Sequence, residues 1–268
     1  MSIPLCVVDA FASRPFRGNP AAVCVLPGPA DAGWMQEVAG EMHLSETSFL
    51  CRREDGGWDL RWFTPVTEVN LCGHATMAAA HALWDSGRLR IDEPARFTTK
   101  SGVLSCTREP DGIRMDFPVR PAESVATPSG LAQALGADVR WCGRTVDDLL
   151  VELPHAATLR ALQPDLSALA QIPVRGVIVT APSDVKDFDF VSRFFAPAAG
   201  VPEDPVTGSA HCSLAAYWAP RLGRRRLRGW QASRRGGDVG MEWVGDRVFL
   251  TGKAVTIWRG ELLAGPAF

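Results

Sequence analysis

The sequence lacks the features that identify several large classes of protein. Its 268 residues carry 28 Lys and Arg against 30 Asp and Glu, so neither sign of charge predominates. A chain this balanced, with 46% apolar residues, is typical neither of a disordered segment nor of a dedicated nucleic-acid binder. No run approaches about 18 apolar residues, so we expect no transmembrane helix and no membrane partner. A basic leader is missing at the N-terminus, which argues against a secretory signal.

Paired cysteines and nucleotide-binding motifs are also missing. The seven cysteines are scattered and form no CxxC pair, which disfavours a disulfide framework and a zinc ribbon and favours a reduced, cytoplasmic protein. Cys72 and His74 alone are too few ligands for a metal site. The sequence contains no GxSxG, GxGxxG or Walker A motif. We therefore expect no cofactor and no metal.

The chain is rich in turn residues, with 25 Gly and 20 Pro, and this predicts short elements. Most of them read as strands rich in Val, Ile, Leu, Phe and Trp. Helices are predicted over 31–43, 74–86 and 209–219, and the last two are rich in alanine.

The two alanine-rich helices belong to an internal repeat. Arg61-Trp-Phe-Thr-Pro65 precedes Gly73-His-Ala, and Arg193-Phe-Phe-Ala-Pro197 precedes Gly208-Ser-Ala, with the copies about 132 to 135 residues apart. Small helix residues let strands approach closely, so we expect two similar halves, each a mostly antiparallel sheet curled around a central helix. The predicted fold class is α+β, with halves at 1–118 and 119–268. A cleft between such halves is a favoured ligand site.

Each repeat places a glycine at a helix start. Helix N-termini offer unpaired N–H groups and the positive end of the helix dipole, which suit a carboxylate. The simpler explanation is that Gly73 and Gly208 only permit tight turns. The repetition favours anion binding.

A few polar residues near these helix starts are candidates for chemistry. His74 is the first residue of the predicted helix 74–86, and an imidazole at a helix N-terminus can stay neutral and relay a proton. Glu46 begins a predicted strand, where a carboxylate is either simply exposed or catalytic. Asp204 either caps the second helix or orients a substrate amine or hydroxyl, and Ser209 either caps that helix or binds a ligand.

Six motifs in order resemble those of the PhzF-like family, the phenazine-biosynthesis proteins with a diaminopimelate epimerase-like fold. They are Val8-Asp-Ala-Phe11, Gly18-Asn-Pro-Ala-Ala-Val23, Ser45-Glu-Thr-Ser-Phe49, Arg61-Trp-Phe-Thr-Pro-Val-Thr-Glu68, Cys72-Gly-His-Ala-Thr76 and Glu203-Asp-Pro-Val-Thr-Gly-Ser-Ala210. The resemblance covers nearly the whole chain. It implies two similar halves with the active site between them, a C-terminal segment 260–268 that crosses back to the first half, and a possible homodimer.

The resemblance also implies roles for individual residues. Glu46 matches the family's catalytic acid/base, and His74, Asp204 and Ser209 match the polar residues around the substrate. Gly73 and Gly208 match the helix-start glycines, whose neighbouring amides hold the substrate carboxylate.

Cys72 and Thr207 occupy the positions at which the related epimerases carry two catalytic cysteines. A hydroxyl has a far higher pKa than a thiol, so Thr207 is a poor base and a two-thiol racemase is disfavoured. The resemblance therefore implies a cofactor-independent isomerase of the trans-2,3-dihydro-3-hydroxyanthranilate type, in which Glu46 alone moves a proton on a small carboxylate. Two alternatives stay open: a carboxylate-binding module without catalysis, and a single-thiol epimerase that uses Cys72.

Overall fold

The computed structural model describes residues 2–266, which form seventeen strands, six α-helices and one short 3₁₀ helix. In chain order the elements are β1 (Ile3–Ala10), β2 (Asn19–Leu26), α1 (Ala32–Met42), β3 (Glu46–Arg52), β4 (Trp58–Phe63), β5 (Glu68–Val69), α2 (Gly73–Asp85), β6 (Ala95–Thr99), β7 (Gly102–Glu109), β8 (Gly112–Pro118), β9 (Glu123–Ser124), α3 (Leu131–Leu135), β10 (Trp141–Arg144), β11 (Asp148–Glu152), α4 (Ala156–Ala161), α5 (Leu166–Leu169), β12 (Gly176–Pro182), β13 (Phe190–Phe195), the 3₁₀ helix (Pro197–Ala199), α6 (Gly208–Leu222), β14 (Arg226–Gln231), β15 (Gly237–Val244), β16 (Arg247–Gly252) and β17 (Ala254–Leu262).

The chain divides into two compact units. Unit 1 is Met1–Asp116 with Thr251–Phe268, and unit 2 is Phe117–Leu250. The chain thus returns to unit 1 at Thr251, before the segment 260–268 expected from the sequence. The earlier return is required because β17 pairs along the whole of β1, from Ala10 opposite Ala254 to Ile3 opposite Leu262.

The strands of unit 1 pair in the order β17–β1–β2–β3–β4–β6–β7–β8. Only β2 with β3 and β4 with β6 are parallel. Helix α2 packs against β1, β2, β3 and β17, and its middle residues Ala78, Ala79 and Ala80 are fully buried. The small side chains let the strands approach the helix closely.

Unit 2 repeats this pattern of pairing. Its strands follow the order β9–β10–β11–β12–β13–β14–β15, and only β11 with β12 and β13 with β14 are parallel. Helix α6 packs against β14 and β15. The predicted α+β class and the two similar halves, each a mostly antiparallel sheet with a central helix, are confirmed.

The repeat extends to individual side chains. Arg61 donates to Glu68 through Nε and Nη2 at 2.8 and 2.9 Å, and Arg193 donates to Glu203 in the same way at 2.7 and 2.9 Å. Each guanidinium also lies over the ring of the phenylalanine two residues later. Both arginines therefore tie the end of a strand to the loop that leads towards the central helix of their unit.

Helix α1 follows the predicted limits within one residue at each end. Asp31 accepts hydrogen bonds from the backbone N–H groups of Gly33 and Trp34, and His43 ends the helix in the left-handed conformation. Among residues 2–266, no helix is long and apolar enough to cross a membrane.

Candidate active site

Glu46 is the first residue of β3, where the strand pairs in parallel with Ala21 of β2. Its side chain is 17% exposed, so the carboxylate is largely withdrawn from solvent. A carboxylate in such a position needs a partner, because burial without one is costly. The partner is the second residue of α2, His74.

The carboxylate of Glu46 and the imidazole of His74 are in direct contact. Glu46 Oε2 lies 3.0 Å from His74 Nε2, and the His74 side chain is only 5% exposed. Their contact is at ion-pair distance but lacks good hydrogen-bond geometry, and neither of these two buried atoms makes a hydrogen bond to any residue in the range 2–266.

The other ring nitrogen of His74 faces two further polar groups. Asn19 Nδ2 lies 3.2 Å from His74 Nδ1, and Cys72 Sγ lies 3.5 Å from the same atom. An amide nitrogen only donates, so in the neutral ring Nδ1 accepts and the proton resides on Nε2, facing Glu46. His74 therefore connects a thiol and an amide on one side to a carboxylate on the other.

Two of these groups have shifted pKa values. Burial, reinforced by the charge of Glu46, raises the pKa of the Cys72 thiol to about 11, although His74 opposes the shift. Burial lowers the pKa of His74, but Cys72 and Glu46 outweigh it and leave that pKa above its usual value. Cys72 is therefore a neutral thiol at neutral pH, so the charge of Glu46 is the effect that favours a proton on His74 there.

The donor atoms of Glu46, Cys72 and His74 lie within 4.8 Å of one another, a spacing that a metal ion could use. The expectation that the protein needs no metal stays a prediction.

In unit 2, two predicted site residues and one that was not predicted form a hydrogen-bonded chain. Thr207, the N-cap of α6, donates from Oγ1 to Asp204 Oδ2 at 2.6 Å. The fully buried Gln231 donates from Nε2 to Thr207 Oγ1 at 3.3 Å and to the Asp204 carbonyl at 2.7 Å, and it accepts from the Thr207 N–H at 2.9 Å. Gln231 thereby fixes both Thr207 and Asp204 just before Gly208 and Ser209.

Ser209 contacts an arginine that sequence reasoning missed. Arg175 donates from Nη2 to Ser209 Oγ at 3.1 Å, and its Nε and Nη2 also donate to the two oxygens of Asp148 at 2.9 and 2.5 Å. Arg175 immediately precedes β12, and Asp148 begins β11. No motif marks either residue in the sequence.

Both central helices begin without a side-chain cap. Neither Cys72 nor Thr207 makes a capping hydrogen bond to the first turn of its helix. The structure thus brings Glu46, Cys72, Gly73 and His74 together in unit 1, and Asp204, Thr207, Gly208 and Ser209 together in unit 2. Asn19 also lies at the first cluster; the motif Gly18-Asn-Pro contained it, but nothing in the sequence assigned it a role.

The fold is that of an α+β protein with a buried acid–base cluster at the start of a central helix. A family model described as "Phenazine biosynthesis-like protein" matches residues 8–260. The chain belongs to this family, as the six motifs predicted.

Relatives agree with this assignment over full length. The chain is 49% identical to an uncharacterized isomerase of Halalkalibacterium halodurans, across 98% of this chain and 99% of that one. It is also 49% identical to an uncharacterized isomerase of Pseudomonas aeruginosa, with the same coverage. Among solved structures, a PhzF-family protein of Enterococcus faecalis superposes with a TM-score of 0.93 at 40% identity, covering 98% of this chain and 99% of that one. The family model and these full-length relatives therefore place the chain in the PhzF-like family.

Proposed function

We propose that this protein is a cofactor-independent isomerase that moves a proton on a small carboxylate, with Glu46 as the single acid/base. Glu46 takes a proton from a carbon next to an unsaturated or carbonyl group. It returns the proton to another carbon on the same face of the substrate. The substrate is of the trans-2,3-dihydro-3-hydroxyanthranilate type, a cyclic amino acid.

The observation that carries the proposal is the contact of 3.0 Å between Glu46 Oε2 and His74 Nε2. A carboxylate with one protonated neighbour and little water around it can exchange a proton without competition from solvent. The Nε2–H of His74 stabilises the negative charge on Glu46 before the transfer. It also donates to charge that develops on the substrate.

The uncapped starts of α2 and α6 support a carboxylate substrate. The first-turn N–H groups of both helices lack a side-chain acceptor, since neither Cys72 nor Thr207 makes a cap hydrogen bond. Amides at a helix N-terminus bind anions through their hydrogens and the helix dipole. The roles expected for Asp204, Thr207, Gly208 and Ser209 in substrate binding remain predictions, as do a homodimer and a cytoplasmic location.

Proton NMR in D₂O tests the proposal directly. The purified protein is mixed with trans-2,3-dihydro-3-hydroxyanthranilate and, separately, with a panel of cyclic and amino acids. We expect isomerisation or deuterium uptake by the wild type and a fall of at least about 100-fold in Glu46→Gln, because general acid–base catalysis supplies about 10²–10⁴-fold.

Glu93→Gln is the matched control, since Glu93 is an exposed carboxylate of the same unit at 51% side-chain exposure. It should leave the rate unchanged. A rate in Glu46→Gln within a factor of two of the wild type would exclude Glu46 as the base. Binding with neither isomerisation nor deuterium uptake by the wild type would indicate a carboxylate-binding module.

A thiol epimerase is the second candidate, favoured by the 3.5 Å contact between Cys72 Sγ and His74 Nδ1. The pKa of about 11 for Cys72 disfavours it, because the thiolate is the reactive form. This candidate predicts that Cys72→Ser abolishes deuterium uptake. The Glu46 proposal predicts that the Cys72→Ser variant retains it.

A further inference from the structure

We propose that Arg175, held in place by Asp148, recognises an acidic group of the ligand together with Ser209. The inference rests on the proposed function only in taking that ligand to be the substrate. It adds to that function a residue outside the family motifs and a requirement that the ligand carry an anionic group at this position.

The first step is the way in which Arg175 is held. Asp148 accepts two parallel hydrogen bonds from the guanidinium, and its side chain is only 3% exposed. Bidentate pairs of this kind are the strongest and most directional of the common ion pairs. The guanidinium also lies 5.6 Å from the ring of Phe194. Arg175 is thus anchored along one edge, although its own side chain is 41% exposed.

The second step is the set of donors that remains. A guanidinium has five N–H groups, and here Nε uses one and Nη2 uses two. Nη1 makes no hydrogen bond to any residue in the range 2–266. Ser209 Oγ accepts from Nη2, so the hydroxyl hydrogen of Ser209 is directed elsewhere, and it too finds no acceptor within that range. Two neighbouring groups therefore present free donors.

The third step is the ligand that such donors fit. Two adjacent donors, one charged and one neutral, match the two oxygens of a single carboxylate. Asp148 already balances the charge of Arg175, and the carboxylates of Asp147 and Asp204 also act on that charge. Recognition therefore depends on the positions of the donors more than on net charge. A lysine at position 175 could not supply both the pair with Asp148 and the outward donors.

Matched acids and amides test this inference by binding alone. Isothermal titration compares 2-aminobenzoate with 2-aminobenzamide, and propionate with propionamide, on the full-length protein. We expect the wild type to bind at least one acid about tenfold or more better than its amide, and Arg175→Met to lose that preference. Arg175→Lys should not restore it.

Two further variants keep the result interpretable. Arg175→Met leaves the Asp148 carboxylate buried without its partner, so Arg175→Met/Asp148→Asn is measured alongside it, with circular dichroism to check folding. Arg160→Met is the matched control, because Arg160 forms a bidentate pair with Asp184 elsewhere in unit 2. It should keep the full preference for the acid.

The inference is wrong if the wild type binds no acid of the panel better than its amide. It is also wrong if the folded Arg175→Met/Asp148→Asn variant keeps the preference. Deuterium uptake is a separate readout. Loss of uptake in Glu46→Gln with an unchanged acid preference in the Arg175 variants would leave the proposed function standing and remove only this inference.

Discussion

His74 and Ser209 hold the same place in the two repeats, yet they serve different chemistry. Each is the second residue of a central helix, after Gly73 or Gly208. His74 contacts a carboxylate and a thiol, whereas Ser209 contacts a guanidinium. The helix start of unit 1 therefore lies among titratable groups, whereas that of unit 2 contacts a guanidinium held by hydrogen bonds.

Thr207 stands where the related epimerases carry their second catalytic cysteine, but its hydroxyl is engaged differently from a reactive thiol. Its Oγ1 donates to Asp204 and lies within hydrogen-bonding distance of Gln231 Nε2. The hydroxyl hydrogen is therefore committed to Asp204. Thr207 thus holds the Asp204 carboxylate by a hydrogen bond, and the expectation that Thr207 is not a base stays a prediction.

His211 gives a prediction about acid stability. The residue is fully buried, and its Nδ1–H donates to the Thr207 carbonyl at 2.8 Å. Burial lowers its pKa to about 4, against the opposing effect of that carbonyl. As the pH falls from 6.5 to 4, His211 becomes protonated in the unfolded chain but stays neutral in the folded protein. Stability should therefore fall by about 3 kcal/mol from this residue alone.

Urea unfolding of the wild type and His211→Gln across this pH range measures the effect. The variant should gain stability relative to the wild type as the pH drops, and the difference should level off below pH 4. His155→Gln, at an exposed histidine of the same unit, should show no such trend. A constant difference between the wild type and His211→Gln would mean that His211 titrates normally in the folded protein.

At the scale of elements, the sequence predicts those with strong local patterns. The two alanine-rich helices lie within three residues of their predicted limits. The short helices α3, α4 and α5 were not predicted, because four to six residues are too few to show a helical period.

Site residues that lie in sequence motifs could be predicted. Site residues that meet only because strands pair could not. Glu46 and His74 lie in two separate motifs, and the structure places them in contact. Arg175 and Asp148 meet because β11 and β12 run in parallel from neighbouring starts, with Asp148 opposite Gly176. Gln231 reaches Thr207 from the last position of β14. No local pattern records such long-range register.

The repeated arginines, Arg61 in β4 and Arg193 in β13, differ in how much we expect them to contribute to the free energy of unfolding. The Arg193 side chain is 12% exposed and also donates to the carbonyl of Leu162 at 2.8 Å, whereas the Arg61 side chain is 30% exposed. In addition, Glu68 keeps Lys100 as a partner when Arg61 is removed. Arg193→Met should therefore cost about 3 kcal/mol and Arg61→Met about 1 kcal/mol.

Chemical denaturation of the two variants checks this order, with hydrogen exchange followed separately in peptides from each unit. Each substitution should lower protection mainly in its own unit. Equal losses would show that the repeated pairs contribute alike, despite their different burial.

At the scale of the whole molecule, the chain leaves unit 1 and later returns to it. Strand β17 pairs with every residue of β1, so the two ends of the described chain share one sheet. Further contacts join the returning segment to unit 1: Lys253 O accepts from the Ala12 N–H at 2.9 Å, and Thr256 Oγ1 donates to Asp85 at 2.5 Å. Unit 1 therefore cannot complete its fold until the last part of the chain is available.

Truncation after Gly252 tests this dependence. Removing β17 leaves the hydrogen-bonding edge of β1 unpaired and uncovers part of α2, which packs on β17. We expect amide protection in β1 and β2 to fall to that of an unfolded chain. Unit 2 has a hydrophobic cluster of its own, which includes Leu149, Val179 and Phe195, so protection in β11 and β12 should decline much less.

Truncation after Ala264 is the control, because it keeps all of β17 and the hydrogen bond from Trp34 Nε1 to the Ala264 carbonyl at 3.1 Å. Its exchange pattern should match that of the full chain. If the variant truncated after Gly252 loses amide protection equally in β1 and β12, the two units fold as one cooperative block. If it loses none, the pairing of β17 with β1 contributes little, and the folding of unit 1 does not wait for the end of the chain.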